Sequence, residues 1–91
     1  MDLQDATLML LAESGAHPEV AKIAQCAYED LYSGRDVSFE LLNDLLGEAS
    51  GAGVLAALRR KYSPAAYEAI IEPICLEIGR RAPVPPYRGP L

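Results

Sequence analysis

The sequence predicts an all-α fold, namely a compact bundle of about five short helices followed by a proline-rich, extended C-terminal tail. Apolar residues recur at steps of three and four along most of the chain, which is the spacing of one helix face. Helix start signals, such as Ser followed by Pro, recur between these stretches, and no stretch of useful length shows strand-like alternation. A chain of 91 residues fits one domain, so we expect a single helical domain over 1–81 and a tail over 82–91.

The first predicted helix begins close to the start of the chain. Asp2 or Asp5 can cap it, because a short acidic side chain accepts hydrogen bonds from the free N–H groups of a first turn. The helix is expected to run to about Ser14 and to stop at Gly15 in a left-handed conformation. Its residues are apolar nearly all round, which predicts burial on most sides or a face left for a partner.

The second and third predicted helices have clearer boundaries. Pro18 suits the first position of the second helix, where its missing N–H needs no partner, and Gly34 closes that helix. Ser38 is the expected cap of the third helix, with Val37 and Leu42 placed to pack against each other across it. The leucines of this helix that are expected to face inward are Leu41, Leu42, Leu45 and Leu46.

The last two predicted helices follow a glycine-rich turn over 50–53. A short fourth helix spans 54–62, and Ser63 with Pro64 then marks the start of a fifth. The apolar stripe of the fifth helix passes through Pro73 without a change of phase, so we predict one kinked helix over roughly 64–81 rather than two helices joined at a bend. The stripe comprises Tyr67, Ile70, Ile71, Ile74, Cys75 and Ile78.

The net charge of −5 is unevenly distributed along the chain. Residues 1–45 carry nine acidic and two basic side chains, whereas residues 46–91 carry four acidic and six basic ones. Two interpretations stay open: attraction between the halves within one fold, and an acidic face that docks onto a basic partner surface. Because nucleic-acid-binding domains usually carry a strong basic patch, this composition disfavours nucleic acid as a partner.

Cys26 and Cys75 lie far apart in the sequence and belong to no CxxC pair. Since no secretory signal precedes them, we expect two reduced thiols in the core rather than a disulfide. The apolar run over 6–12 is far shorter than the about 20 residues that span a bilayer. The sequence therefore favours a soluble, cytoplasmic protein without membrane contact.

Two patterns resemble known binding motifs, but each differs from its motif in the residues that would contact the ligand. The glycines within 47–53 are not followed by the Lys and the Ser or Thr of a phosphate-binding loop. The third and fourth helices could form a helix-turn-helix, but its cations, Arg59, Arg60 and Lys61, lie at the C-terminal end of the reading helix. Such helices contact bases mainly near their N-terminal end, so DNA recognition is an alternative and not the main hypothesis.

Catalytic and metal-binding groups are sparse. His17 is the only histidine, lies at a helix start and has only Glu19 nearby as a second ligand. Nucleophilic catalysis needs a nucleophile, a base and usually an orienting group. The single imidazole could act as the base only if the fold brought it next to a nucleophile from a distant part of the chain. The sequence therefore predicts a protein that is not an enzyme and has no catalytic residue, metal site or cofactor.

The segment RRAPVPP over 80–86 fits the Arg-x-x-Pro-x-x-Pro pattern of peptides that bind SH3-type grooves, because prolines three residues apart share one face of an extended helix. A tail that only ends the last helix is the simpler interpretation of the same residues.

Size, acidity and the lack of catalytic groups favour a small non-catalytic protein-binding module. We expect it to regulate or inhibit a larger protein by docking on it, as small phage or mobile-element inhibitors of host machinery do. The residues expected to contact the partner are Glu68, Glu72, Arg80, Arg81, Pro83, Pro86 and Tyr87. The alternatives are a helix-turn-helix-like DNA-binding regulator and a self-assembling structural subunit, which would form a homo-oligomer.

Overall fold

A computed structural model describes residues 1–81, and five helices account for most of this range. The helices are α1 (Leu3–Glu13), α2 (Pro18–Tyr32), α3 (Phe39–Gly51), α4 (Val54–Lys61) and α5 (Pro64–Arg81). No strand occurs within the described range, so the all-α prediction is confirmed there. The predicted proline-rich tail, 82–91, lies outside the described residues.

The helix starts follow the capping residues in the sequence. The Oδ1 atom of Asp2 accepts a hydrogen bond from the backbone N of Asp5 at 2.8 Å, so Asp2 and not Asp5 caps α1. The Oγ atom of Ser38 accepts from the backbone N of Leu41 at 3.1 Å, and Ser63 caps α5 in the same way. Each cap pairs one of the N–H groups that a first turn leaves free.

Among residues 1–81, Gly34 and Gly53 have the left-handed conformation, whereas Gly15, for which it is predicted, does not. Gly34 and Gly53 have φ values of 77° and 84°, which glycine adopts with little strain. The prediction for Gly15 is wrong, because α1 is closed one residue earlier by Ser14. The backbone N–H of Ser14 bonds back to the last turn of α1, and its buried hydroxyl donates to the carbonyl oxygen of Leu11 at 3.0 Å.

The turn between α3 and α4 is shorter than the glycine-rich segment 50–53 suggests. Helix α3 continues through Gly51, so only Ala52 and Gly53 separate it from Val54, the first residue of α4. The two helix axes meet at a bend of 73°. The left-handed backbone of Gly53 provides this change of direction.

The core is formed by side chains from all five helices and from Val37. Helix α1 packs most extensively against α2 and then against α5, while α3 contacts α2, α4 and α5. Val37 and Leu42 are both fully buried, on either side of the Ser38 cap, whereas Leu41 and Leu46, which are predicted to face inward, are only half-buried. The buried apolar residues are Ala6, Leu10, Val20, Ala24, Ala27, Val37, Leu42, Leu45, Ala49, Val54, Leu58, Tyr67, Ile70 and Ile74.

Helix α5 runs through Pro73 without interruption, so the prediction of a single helix is confirmed. Of the predicted stripe, Tyr67, Ile70 and Ile74 are buried and Ile71 and Ile78 are half-buried. Ala69 is exposed. Its backbone carbonyl lacks a helical hydrogen bond because Pro73 has no N–H to donate to it. Water can therefore satisfy this group without a gap in the core.

Replacing Pro73 with alanine is expected to raise the free energy of unfolding by about 2 kcal/mol. A proline inside a helix costs about 3 kcal/mol, and up to about 1 kcal/mol of this gain is offset because alanine makes the unfolded chain more flexible. Urea unfolding followed by circular dichroism measures the difference. Pro64→Ala is the matched control, since Pro64 occupies the first helical position and should give no gain. An unchanged or lowered stability of P73A would contradict this expectation.

Candidate partner-binding surface

Residues 1–81 form a surface without a pocket, and within this range no group of three or more His, Cys, Asp or Glu side chains is placed to hold a metal ion. His17 occupies the N-cap position of α2 but makes no side-chain bond to the helix. The outer faces of the helices are therefore the described surfaces on which a partner can be considered.

The basic end of α4 is engaged within the fold. The guanidinium of Arg59 lies 4.9 Å from the centroid of the Tyr67 ring and donates a hydrogen bond to its hydroxyl at 3.3 Å, which joins α4 to α5. Lys61 Nζ lies 3.2 Å from Glu13 Oε2, which joins α4 to α1. The hydrogen bond to Glu13 raises the pKa of Lys61. Two cations of the predicted DNA-contacting cluster thus have partners on other helices of the bundle.

The C-terminal end of α5 is fastened by Arg81. Its guanidinium donates a hydrogen bond to the backbone carbonyl of Val37 and lies 3.1 Å from the carboxylate of Asp36, both in the loop between α2 and α3. It also pairs with Glu77, one turn earlier on α5. Arg81 therefore links two distant parts of the chain, and its predicted contact with a partner stays a prediction.

Glu77 is the acid shared by both arginines at this end. Arg80 and Arg81 each donate to its carboxylate, and these hydrogen bonds, Arg80 first and Arg81 second, lower the pKa of Glu77. The side chain of Arg80 is 66% exposed, whereas that of Arg81 is 21% exposed. Arg80 therefore remains accessible, although it has a partner within the helix.

The outer face of α5 brings three of the predicted contact residues together. Glu68, Glu72 and Arg80 are all exposed on this helix. Between Glu72 and Arg80 lies Leu76, which is 65% exposed and which the sequence prediction omits. At about 100° per residue, Leu76 falls opposite Tyr67 on the helix, so its exposure could have been read from the sequence. The other predicted contacts, Pro83, Pro86 and Tyr87, lie outside the described residues.

A second charged face lies on α3. Glu40, Asp44 and Glu48 are exposed and recur every four residues, so their carboxylates lie one above the other along the helix. None of them has an ion-pair partner among residues 1–81. We call these residues the acidic face of α3. The sequence prediction recognises that residues 1–45 are acidic, but not that Glu40 and Asp44 of that half align with Glu48 of the second half.

Both cysteines are exposed free thiols, so the prediction of core thiols is wrong. Cys26 precedes the buried Ala27 and Cys75 follows the buried Ile74. In each case one step of about 100° around the helix axis carries the thiol away from the core. Partial burial, and secondarily the carboxylate of Glu68, raise the pKa of Cys75.

Similarity to known proteins assigns no family to this chain. No protein-family model, curated protein sequence or solved structure matches it. Within residues 1–81 no single helix combines the length and apolar composition needed to cross a membrane, and α3 and α4 meet these criteria only as a pair bent by 73°.

Replacing Arg81 with methionine is expected to lower the midpoint of thermal unfolding at neutral pH, because the Val37 carbonyl and the Glu77 carboxylate each lose a donor. Arg80→Met is the matched control and should lower the midpoint less, since it removes one donor to Glu77 but leaves the contacts of Arg81 with Val37 and Asp36. The folded-state pKa of Glu77 is lowered, so the stabilisation exists above the ordinary carboxyl value of 4.5 and is lost as the pH falls through the folded-state value. The difference between wild type and R81M should shrink over that acidic range. Equal midpoints for R81M and R80M would contradict the role of Arg81.

Replacing Glu68 with glutamine is expected to speed alkylation of Cys75 near neutral pH, because the thiolate is the reactive form and the carboxylate helps to raise the pKa of the thiol. The increase should be small, since partial burial, the larger cause, is unchanged. Iodoacetamide labelling of a Cys26→Ser protein, followed by mass spectrometry, isolates this thiol. Glu19→Gln changes the net charge equally on α2 and should leave the rate unaltered. The electrostatic explanation fails if both variants accelerate the reaction alike.

Proposed function

We propose that the protein is a small, non-catalytic, cytoplasmic protein-binding module that regulates or inhibits a larger protein by docking on it through the acidic face of α3. The observation that carries this proposal is the placement of charge. The cations Arg59, Lys61 and Arg81 have partners elsewhere in the fold, whereas the α3 carboxylates have no ion-pair partner among the described residues. A row of free carboxylates is complementary to a basic patch on another protein.

The acidic face lowers the stability of the helix that carries it. Like charges four residues apart destabilise a helix by about 0.2–0.5 kcal/mol per pair, and this face has two such pairs. Glu40 offsets part of this cost because it lies in the first turn, but Glu48 lies near the C-terminal end, where the helix dipole disfavours an anion. Residues that reduce stability without a structural partner are typical of binding surfaces.

Docking alone is sufficient for inhibition by such a surface. Carboxylates one helical turn apart are separated by about 6 Å along the axis, so the row spans about 12 Å and can pair with several cations of a partner. Basic patches on proteins commonly bind nucleic acids or other anions. A domain that covers such a patch excludes the other anion from it. This mode of action agrees with a phage or mobile-element inhibitor of host machinery.

The DNA-binding alternative is less well supported by the geometry. A reading helix presents polar residues at its N-terminal end, but α4 begins with the buried Val54 and the half-buried Leu55. Two of its three cations face α5 and α1. The self-assembling alternative has a separate observation in its favour, the exposed Leu76 on α5.

Neutralising the acidic face by the triple substitution Glu40→Gln, Asp44→Asn and Glu48→Gln is expected to abolish retention of the partner. The same variant should unfold with a free energy about 0.5 kcal/mol higher than wild type, because the like-charge pairs are removed. Immobilised wild type and variant are compared by affinity capture from an extract of the native host, with quantitative mass spectrometry and elution by added salt.

The matched control changes three other exposed acids, in the variant Asp5→Asn, Glu19→Gln and Glu29→Gln, and has the same net charge. It should retain the partner as wild type does. Loss of the partner from both variants would point to net charge alone. The proposal would be contradicted if the α3 variant retained the partner, or if wild type captured no partner that added salt elutes.

A further inference from the structure

The middle of the outer face of α5 has the shape of a helix-packing surface. Leu76, at 65% exposure, has small or flat side chains on the two adjacent ridges, Ala69 and Pro73 on one and Cys75 and Gly79 on the other, with Glu77 next to it on the first. A Cβ atom added at Gly79 would meet nothing within 4 Å, so the surface beside Leu76 is open and shallow. A protruding leucine with shallow depressions beside it matches the ridges and grooves by which helices pack.

The charges one turn before and one turn after Leu76 are opposite in sign, while Glu68, a further turn before, has no charged counterpart at residue 84. Glu72 lies four residues before it and Arg80 four residues after it, on the same ridge of the helix. In an antiparallel pair of such helices centred on Leu76, each Glu72 lies opposite an Arg80. A parallel pair would place like charges opposite each other. The ridge is therefore complementary to a second copy of itself in the twofold arrangement that homodimers use.

We propose that two copies of this chain associate through α5, antiparallel, with Leu76 on the twofold axis and Glu72 of each copy paired with Arg80 of the other. Arg80 can leave Glu77 at little cost, because Glu77 keeps Arg81 as a partner. Leu76 supplies the apolar contact, and the two charge pairs set direction and register.

The dimer is weak because each copy contributes mainly one helix. Stable interfaces bury about 1,200–2,000 Å² in total, and a contact of two single helices falls at or below the lower end of this range. Association is therefore expected at micromolar and higher concentrations. The contact uses none of the α3 carboxylates.

Sedimentation equilibrium of the full chain, over a concentration series from micromolar to millimolar, tests the surface. The wild-type mass should rise from one chain towards two. Leu76→Gln should remain monomeric throughout, whereas Leu8→Gln, at a leucine of α1 with 43% exposure, should associate as wild type does. A wild type that stays monomeric at every concentration, or an equal loss of association in both variants, would overturn the proposal.

Charge exchange tests the antiparallel register. Glu72→Arg and Arg80→Glu should each weaken association at least about tenfold, because each places like charges opposite each other. The double variant E72R/R80E should regain association, and an equimolar mixture of the two single variants should form a heterodimer. Circular dichroism checks that every variant is folded. Failure of both the double variant and the mixture to associate would overturn the register. These measurements need no cell extract, so they are independent of partner capture by α3.

Discussion

The apolar stripe of α5 has to stay on one side of the helix across Pro73, because α1, α3 and α4 all contact this helix. A break in helical phase at Pro73 would leave Tyr67 and Ile70 in the core but turn Ile74 away from it. The helix tolerates the missing backbone bond because the carbonyl that loses its donor belongs to the exposed Ala69. The bundle is thus organised around a helix with a local defect on its solvent side and continuous packing on its inner side.

Cations of the second half of the chain form polar contacts between parts of the bundle that are distant in sequence. Lys61 reaches α1 through Glu13, Arg59 lies on the ring of Tyr67, and Arg81 reaches the loop before α3. The uneven charge of the two halves is therefore partly a matter of internal attraction. Ion pairs inside the fold do not account for all of the acidic charge, since the acids of α3 have no ion-pair partner within the described residues.

The two proposed surfaces have different physical origins and can act together. The α3 face is purely electrostatic, so its binding should be sensitive to salt and rapid in association. The α5 face combines one exposed leucine with a short charge pattern, which suits a weak symmetric contact. A dimer through α5 would carry two α3 faces, and a partner with repeated basic patches would then bind with increased avidity.

The sequence by itself determined the helices, because their signals are local. Asp2, Ser38 and Ser63 bond to N–H groups three residues away, and the spacing of apolar residues indicates that α5 continues through Pro73. The tertiary structure decided how far the buried arc of α2 and of α5 extends, and hence that Cys26 and Cys75, each next to a buried residue in the sequence, lie outside the core. It also decided that Arg81 bonds to Val37, 44 residues away, because a long-range partner depends on how the helices pack and not on neighbouring residues.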